Sequence, residues 1–414
     1  MSQNQSRGQA ERPKIGAGLA ARLPDLVAAW RGSRGPGGAG KGSPLSRREI
    51  ESASAALLRL QRGLTGDRRL AGSGYMDDPE LLGAYLLYYW PVSYLQVSLA
   101  FAELRSALGP GGSIAPRRVL DLGCGPGPAA AAVLDACPSA SELVLVDSSE
   151  KALGMAQSIL EARAEPRLRI TRELLDLESD AALPEGPFDL AVMGHCVNEL
   201  WRGDPSAIDR RLLLLKRAAR ALSPGGLVLV LEPALLLTSR ELIALRDRLA
   251  QEGWRVLAPC PGSYACPIYA AGAERSCHAE SPWKPGEPMA SMAAAAGLDR
   301  SSVKCAYFFL SPPSSDSRPE EGARACRRVV SDPMLNKAGR LRYILCGEGG
   351  LATVSARADD EAARVSGFMD LRRGDGIRLE GFEERPGGGL GFAAGSVVET
   401  LALAPEASAP GATA

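Results

Sequence analysis

Three cysteines and a histidine fall within twenty residues of this chain, in "PCPGSYACPIYAAGAERSCH" at positions 259–278. Cys260, Cys266 and Cys277 have five and ten residues between them, and His278 follows the third. Cys346 ends the apolar pattern "RLRYILC" and precedes "GEGG", a turn that leaves its thiol free to reach elsewhere. Cys305 and Cys326 fall in strand patterns and are weaker candidates. Three thiolates plus one fit an iron–sulfur cluster. They also fit structural zinc, held by four cysteines or by three with His278. The tight C-x-x-C pairs of zinc ribbons are absent. A polar loop rich in Pro and Gly gives no packing reason to gather thiols, so the pattern predicts a metal centre rather than free cysteines. Iron and zinc both remain open on spacing alone.

A second pattern is "VLDLGCGPGPAAAAVL", where Gly123, Gly125 and Gly127 alternate behind Asp121. It follows a strand pattern and opens a helical one. Without Cβ atoms the loop can turn tightly and approach a ligand. Asp147 closes the next strand pattern, twenty residues past Gly127. A carboxylate at that interval accepts hydrogen bonds from a ribose. The order strand, loop, helix, strand, carboxylate is more specific than the glycines alone. A dinucleotide fingerprint needs a third glycine where this chain has Pro128. D-x-G-x-G-x-G instead resembles motif I of the class I S-adenosylmethionine methyltransferases. That resemblance implies Asp121 near the methionine amino end of the cofactor, the glycines along it and Asp147 on the ribose. It also implies Asp176 of "LLDLES" near the adenine.

The fourth strand pattern ends in "MGHCVNELW". The Asn/Asp-Pro-Pro-aromatic loop used for methylating exocyclic amines is missing, and Cys196 lacks the Pro-Cys setting of pyrimidine C5 methylation. His195, Asn198 and Glu199 lie beyond the carboxyl end of that strand, where ligands bind in open α/β sheets. His195 is the candidate general base, its unperturbed pKa being near neutrality, and Asn198 the candidate beside it. A sulfonium is already a good leaving group, so positioning alone can carry much of a methyl transfer. The residues leave open whether the chain transfers a methyl group.

The elements that must position these groups follow from periodicity. From about residue 117 strand and helix patterns alternate, which predicts a parallel doubly wound sheet. The predicted fold is α/β: a class I methyltransferase (Rossmann-like) core with a helical N-terminal region and a small C-terminal β domain. The expected divisions are a disordered basic tail at 1–44, the helical region at 45–115 and the core at 116–258; then the cysteine loop with the last core strand at 259–310, the β domain at 311–402 and a loose tail at 403–414. Ser46 with Glu49 predicts a capping box. Pro91 is expected to kink or break the second helical stretch. Tyr85, Tyr88, Tyr89, Trp90 and Tyr94 are read as a core face.

Charge is balanced at 48 basic and 48 acidic residues over 414. There is no signal-peptide pattern and no apolar run of the ~20 residues a membrane span needs. The expectation is a soluble, cytoplasmic protein, with the mitochondrial matrix as the alternative and nine reduced cysteines. Two windows are basic: residues 1–50 hold nine Lys/Arg against three acids, and 324–342 hold six against one. The basic tail and the second window, with Arg324, Arg327, Arg328, Lys337, Arg340 and Arg342, are expected to contact phosphates.

Taken in order, "AYLLYYWPVSY", "VLDLGCGPG", "LVLVD", "NELW", "LSPGGLVLVLEP", "APCPGSYACPI", "SCH", "MLNKAGRLRYILC" and "LRRGDGIRLEG" resemble the methyltransferase-like, small-ribosomal-subunit-associated proteins of mitochondria and their bacterial relatives, over roughly residues 46–395. The resemblance implies a [4Fe–4S] cluster on Cys260, Cys266, Cys277 and Cys346. It also implies S-adenosylmethionine as cofactor, and a role with the small ribosomal subunit and its rRNA in assembly or translation. Cys277 departs most from the family, standing in "SCHAE" rather than a Trp-Cys-His-Phe-like setting. Two alternatives stand beside this reading: a non-catalytic cofactor-binding assembly factor, and a small-molecule methyltransferase with structural zinc. No membrane partner is expected.

Overall fold

In the computed structural model the described residues are 11–34, 43–72, 74–109, 112, 114–163, 165–298, 300–313, 326–385 and 388–408. The expectation of a disordered tail over 1–44 fails for residues 11–34. Strand β1 (Lys14–Ile15) leads into helix α1 (Leu19–Gly32), whose apolar stripe buries Leu19, Leu26, Val27 and Trp30. Arg22 and Arg31 on the same helix reach Asp135 and Glu49. Helix α2 (Arg47–Gln61) starts with the predicted box: Ser46 Oγ accepts from the Glu49 N–H, and Glu49 accepts from the Ser46 N–H. A short α3 (Pro79–Ala84) runs through a wider turn, Tyr85–Tyr89, into α4 (Trp90–Leu108). Pro91 therefore does not break the helix. It follows directly on the wide turn Tyr85–Tyr89, which keeps the chain helical and accommodates the missing N–H. Tyr85, Tyr88, Trp90 and Tyr94 are buried, as a core face requires.

The central sheet carries β2 (Arg118–Leu122), β3 (Glu142–Asp147), β4 (Arg169–Leu174), β5 (Phe188–Gly194), β6 (Leu222–Pro233), β7 (Arg255–Ala258), β8 (Ala279–Pro282) and β9 (Ser302–Ser311). Helices α5 (Pro128–Ala136), α6 (Glu150–Glu161), α7 (Ala207–Arg220) and α8 (Leu236–Gln251) make the crossovers, with α9 (Pro267–Ala270) and α10 (Met289–Ala295) in the excursion between β7 and β9. The order is β4-β3-β2-β5-β6-β9-β7, with β8 added to β9. Strands β2 to β6 pair in parallel, while β9 is antiparallel to both β6 and β7. Renumbering the seven core strands by sequence gives 3-2-1-4-5-7-6 with the seventh reversed. That is the class I methyltransferase arrangement the glycine motif predicted. The order reverses beside β2, which puts the crevice for a ligand at its carboxyl end.

The C-terminal unit holds β10 (Arg327–Val329), β11 (Met334–Leu335), β12 (Arg340–Gly347), β13 (Gly350–Arg357), α11 (Glu361–Val365), β14 (Gly376–Glu384) and β15 (Leu390–Ala402). Its strands close on themselves: β10 pairs with both β14 and β12, and the ring runs β10-β12-β13-β15-β14. All pairs are antiparallel except β13 with β15. The short helix lies between the third and fourth ring strands, and Ala363 and Phe368 plug a core of Val329, Tyr343, Leu345, Val354 and Ile377. A five-stranded ring in the order 1-2-3-5-4 with that helix is the OB-fold barrel.

Residues far apart in the chain tie the units together. Strand β16 (Glu406–Ala407) pairs with β1, so the tail expected to be loose from 403 is ordered through residue 408. Arg328 of β10 reaches Glu103 of α4 at 2.7 Å, with both side chains buried. Arg328 is thus not a phosphate contact, and Arg324 lies outside the described residues. Truncating Trp30, buried against Gly83 of α3, should destabilise the protein by about 3–5 kcal/mol and expose residues 11–34 to protease. Chemical denaturation with limited proteolysis of Trp30→Ala checks this. An unchanged midpoint and digestion pattern would mean that α1 is not part of the folded body.

Candidate functional site

A cavity of ≈ 730 Å³ opens at the carboxyl ends of the parallel strands, a size suited to a small-molecule ligand. Gly123, Gly125, Asp147, Asp176 and Cys196 line the sheet side; Arg68, Tyr75, Met76 and Asp77 roof it from the N-terminal region; Tyr89, His195, Arg300 and Lys304 close the far end. Gly123 (φ +69°) and Gly125 (φ +51°) hold the left-handed backbone that favours glycine. A Cβ on Gly123 would stand 2.5 Å from that of Cys196. The Gly125 N–H donates to Asp147 Oδ2 at 2.8 Å, and the Ser149 N–H donates to Oδ1 at 2.9 Å. Loop and carboxylate thus fix one another at the end of β3. Asp176 lines the same wall and accepts from the Glu178 N–H at 2.9 Å.

Two of the residues singled out by the motif lie off the cavity wall. Gly127 turns the chain into α5, and a Cβ there would stand 3.1 Å from Ala156 of α6, so it serves helix packing. Asp121 is 1 % exposed beneath the loop. One of its oxygens accepts from the Ala130 N–H at 3.1 Å, while the other has no partner. Burial pushes its pKa up to about 7.

The catalytic candidates His195 and Asn198 line the same cavity, and Asn198 Nδ2 donates to the His195 carbonyl at 3.2 Å. His195 adopts φ +64° and its Nε2 lies 2.7 Å from Gln96 Oε1, so that nitrogen donates. Burial lowers its pKa to about 4. A neutral, tethered imidazole with so low a pKa is a weak base near pH 7. Asn198 is buried and held on both sides. Its backbone N–H and Nδ2 donate to Glu232 at 2.9 and 2.5 Å, and its Oδ1 accepts from Arg68 Nη2 at 2.6 Å. Glu232 and Arg68 were missed by sequence reasoning. The signal for Glu232 was a carboxylate closing the apolar run "LVLVLEP". Burial raises Glu199 to about 7 and Glu232 to about 8. With Asp121, three carboxyl groups near the cavity hold protons around neutrality.

A second cavity lies further along β9: Ser302 and Lys304 of that strand line the first, and Ala306, Tyr307 and Phe308 line the second. Cys260, Cys266, Cys277 and Cys346 all line this second cavity, with Arg246, Tyr264, His278 and Arg328. Cys260 follows β7, Cys266 caps α9, Cys277 precedes β8, and Cys346 arrives from barrel strand β12. Cys305 is buried within β9, and neither it nor Cys326 lines the cavity. The His278 ring lies 3.3 Å from Glu280. Burial raises all four thiols, Cys277 to about 12. Arg246 is 1 % exposed and bonds Asp247 through Nη1 at 2.5 Å, but its Nε and Nη2 have no partner. Among the described residues, no group of three or more His, Cys, Asp or Glu is arranged to hold a metal ion.

A family model described as mitochondrial small ribosomal subunit Rsm22 matches residues 80–353. No curated protein matches the chain. Among solved structures, the plantazolicin methyltransferase BpumL in complex with SAH is 12% identical with a TM-score of 0.34, over 64% of this chain and 99% of that one. The mitomycin 7-O-methyltransferase MmcR is 17% identical with a TM-score of 0.34, over 71% and 75%. The ribosomal protein L11 methylase of Lactobacillus delbrueckii subsp. bulgaricus is 14% identical with a TM-score of 0.30, over 51% and 78%. Likenesses this distant carry no argument about activity; the fold rests on the strand order.

The raised carboxyls set a pH dependence. A carboxyl group whose folded pKa exceeds its unfolded value contributes stability below the unfolded value and loses it as pH rises through the folded one. Glu232, at about 8, should therefore lower the stability of the ligand-free protein between about pH 5 and 8. Thermal melts across that range should fall less steeply for Glu232→Gln than for wild type. Parallel curves would mean that Glu232 is ionised throughout.

Proposed function

Because the chain belongs to the mitochondrial small ribosomal subunit Rsm22 family, we propose that it binds S-adenosylmethionine in the cavity at the end of β2 and acts on the small ribosomal subunit and its rRNA. In the same reading Cys260, Cys266, Cys277 and Cys346 hold a [4Fe–4S] cluster. The observation that carries the cofactor assignment is the mutual hold of Asp147 and the Gly125 N–H at the head of a ≈ 730 Å³ cavity. Asp147 retains lone pairs for ribose hydroxyls after accepting its two backbone N–H bonds. Asp121 offers a buried oxygen without a partner beneath the glycine loop.

When bound, the cofactor supplies an electrophilic methyl group. The chain supplies enclosure and position. Tyr75 and Met76 close over the glycine loop, and Glu232 with Arg68 holds the Asn198 amide at the cavity wall. His195, neutral and bonded to Gln96, orients that wall and is a poor proton acceptor.

The thiol cavity fits an anionic group. Buried charge needs a counter-charge, and Arg246 presents two unpartnered donors beside four sulfurs. An all-sulfur donor set suits iron–sulfur ligation. Four cysteines would equally suit a structural zinc, and metal analysis decides between the two. The family description supports the mitochondrial alternative over the cytoplasmic expectation. Among the described residues no helix is long and apolar enough to cross a membrane.

Calorimetric titration tests the cofactor reading. Asp147→Ala should weaken S-adenosylmethionine binding by about tenfold or more, the worth of a charged hydrogen bond, at an unchanged fold by circular dichroism. Equal affinity in the variant would reject the assignment. Labelled methyl transfer to immature small subunits then separates the two forms of the proposal. Transfer to rRNA makes the chain an enzyme, and binding without transfer makes it a cofactor-dependent assembly factor.

A further inference from the structure

We propose that the C-terminal barrel is a single-stranded RNA-binding module, and that the RNA runs over the Arg340–Arg342 end of β12 and the turn before it, the Cys346 end of the same face being turned into the thiol cavity. The inference starts from topology. An OB-fold presents its second and third strands, with the loop between strands one and two, to extended polymers such as oligonucleotides. Here those strands are β12 and β13, joined over eight register pairs from Arg340↔Arg357 to Gly347↔Gly350.

Side chains alternate across the barrel wall. Tyr343, Leu345, Val354 and Ala356 point inward and are buried. Arg340 and Arg342 of β12 therefore point outward, opposite Arg357 and Ser355 of β13. Arg342 and Arg357 are exposed, Arg340 is half-buried and bonds Ser355, and Lys337 is exposed in the turn between β11 and β12. Among the described residues no carboxylate pairs with Lys337, Arg340 or Arg342. Arg357 pairs with Asp359, and its side chain remains 65% exposed. Acids also stand near these strands, Glu348 exposed in the β12–β13 turn and Asp359 on Arg357, while Glu380, Glu383 and Glu384 are exposed on β14 and Glu399 pairs with Arg378.

Arg340 and Arg342 on β12, with Lys337 in the turn before it, match a short run of phosphates. No aromatic side chain stands on the outer face of β12 or β13, since Tyr343 is turned into the core. The contact should therefore follow the backbone and tolerate sequence. The choice of RNA rests on the small-subunit reading; the surface itself does not.

The test uses the full-length protein and a fluorescein-labelled single-stranded RNA of mixed sequence, read by anisotropy over a salt series. Wild type should bind the single strand more tightly than the matching duplex. Lys337→Glu/Arg342→Glu should weaken binding by at least about tenfold and flatten the salt slope by about 1.4, two phosphate contacts at about 0.7 each. Arg47→Glu/Arg48→Glu makes the same charge change on exposed residues of α2 and should leave the affinity within about twofold. The barrel variant should still bind S-adenosylmethionine as wild type does, and Asp147→Ala should still bind RNA, so failure of the cofactor reading shows separately. The proposal is overturned if the barrel variant binds like wild type, if both charge variants lose affinity alike, if duplex binds as tightly as single strand, or if wild type does not bind RNA at all.

Discussion

Two buried guanidinium groups, Arg246 and Arg328, set the terms on which the core and the barrel meet. Both line the cavity into which four cysteines project. Arg328 has a partner in Glu103, which also accepts from Tyr307, so one contact joins α4, β9 and the barrel. Arg246 has Asp247 for one nitrogen and nothing for two others. Burying charge in protein interior is costly unless it is compensated. A centre that turns the four neutral thiols into thiolates would give the two unpartnered Arg246 nitrogens acceptors and join Cys346 of the barrel to the loop after β7. Metal binding of that kind contributes to folding, because the site does not exist in the unfolded chain.

The cofactor cavity depends on the same junction from its other side. Strand β9 contributes to both cavities, and Gln96 of α4 braces it, donating to the Lys304 carbonyl at 2.6 Å and accepting from His195. The roof comes from the N-terminal region, where Asp77 accepts from Ser149 Oγ at 2.6 Å beside the Asp147 carboxylate. Much of the helical N-terminus is thus part of the site rather than an appendage to it.

What could be read from sequence was local. Gly123 and Gly125 were legible because the turn needs left-handed backbone, and Asp147 because it closes the next strand. The alternating apolar runs gave the order of the core elements, and Ser46 with Glu49 marked a helix start. What escaped was non-local. Glycine and proline content led residues 1–44 to be read as a tail, although Leu19, Leu26 and Trp30 already carried a helical stripe. Arg328 looked like a phosphate contact because its basic window says nothing of Glu103, 225 residues away. Cys346 was tied to the other three cysteines by family resemblance and a flexible turn, not by spacing. The barrel type was illegible because closure rests on β10 meeting β12 and on a parallel pair between β13 and β15.

The most direct test of the central claim is the visible absorbance of the protein purified without oxygen, with iron, sulfide and zinc analysis, for wild type and Cys346→Ser. The account predicts a brown wild type with matched iron and sulfide, and a variant that is bleached or loses the docking of the barrel. A colourless wild type without iron, or one holding a single zinc, would contradict it.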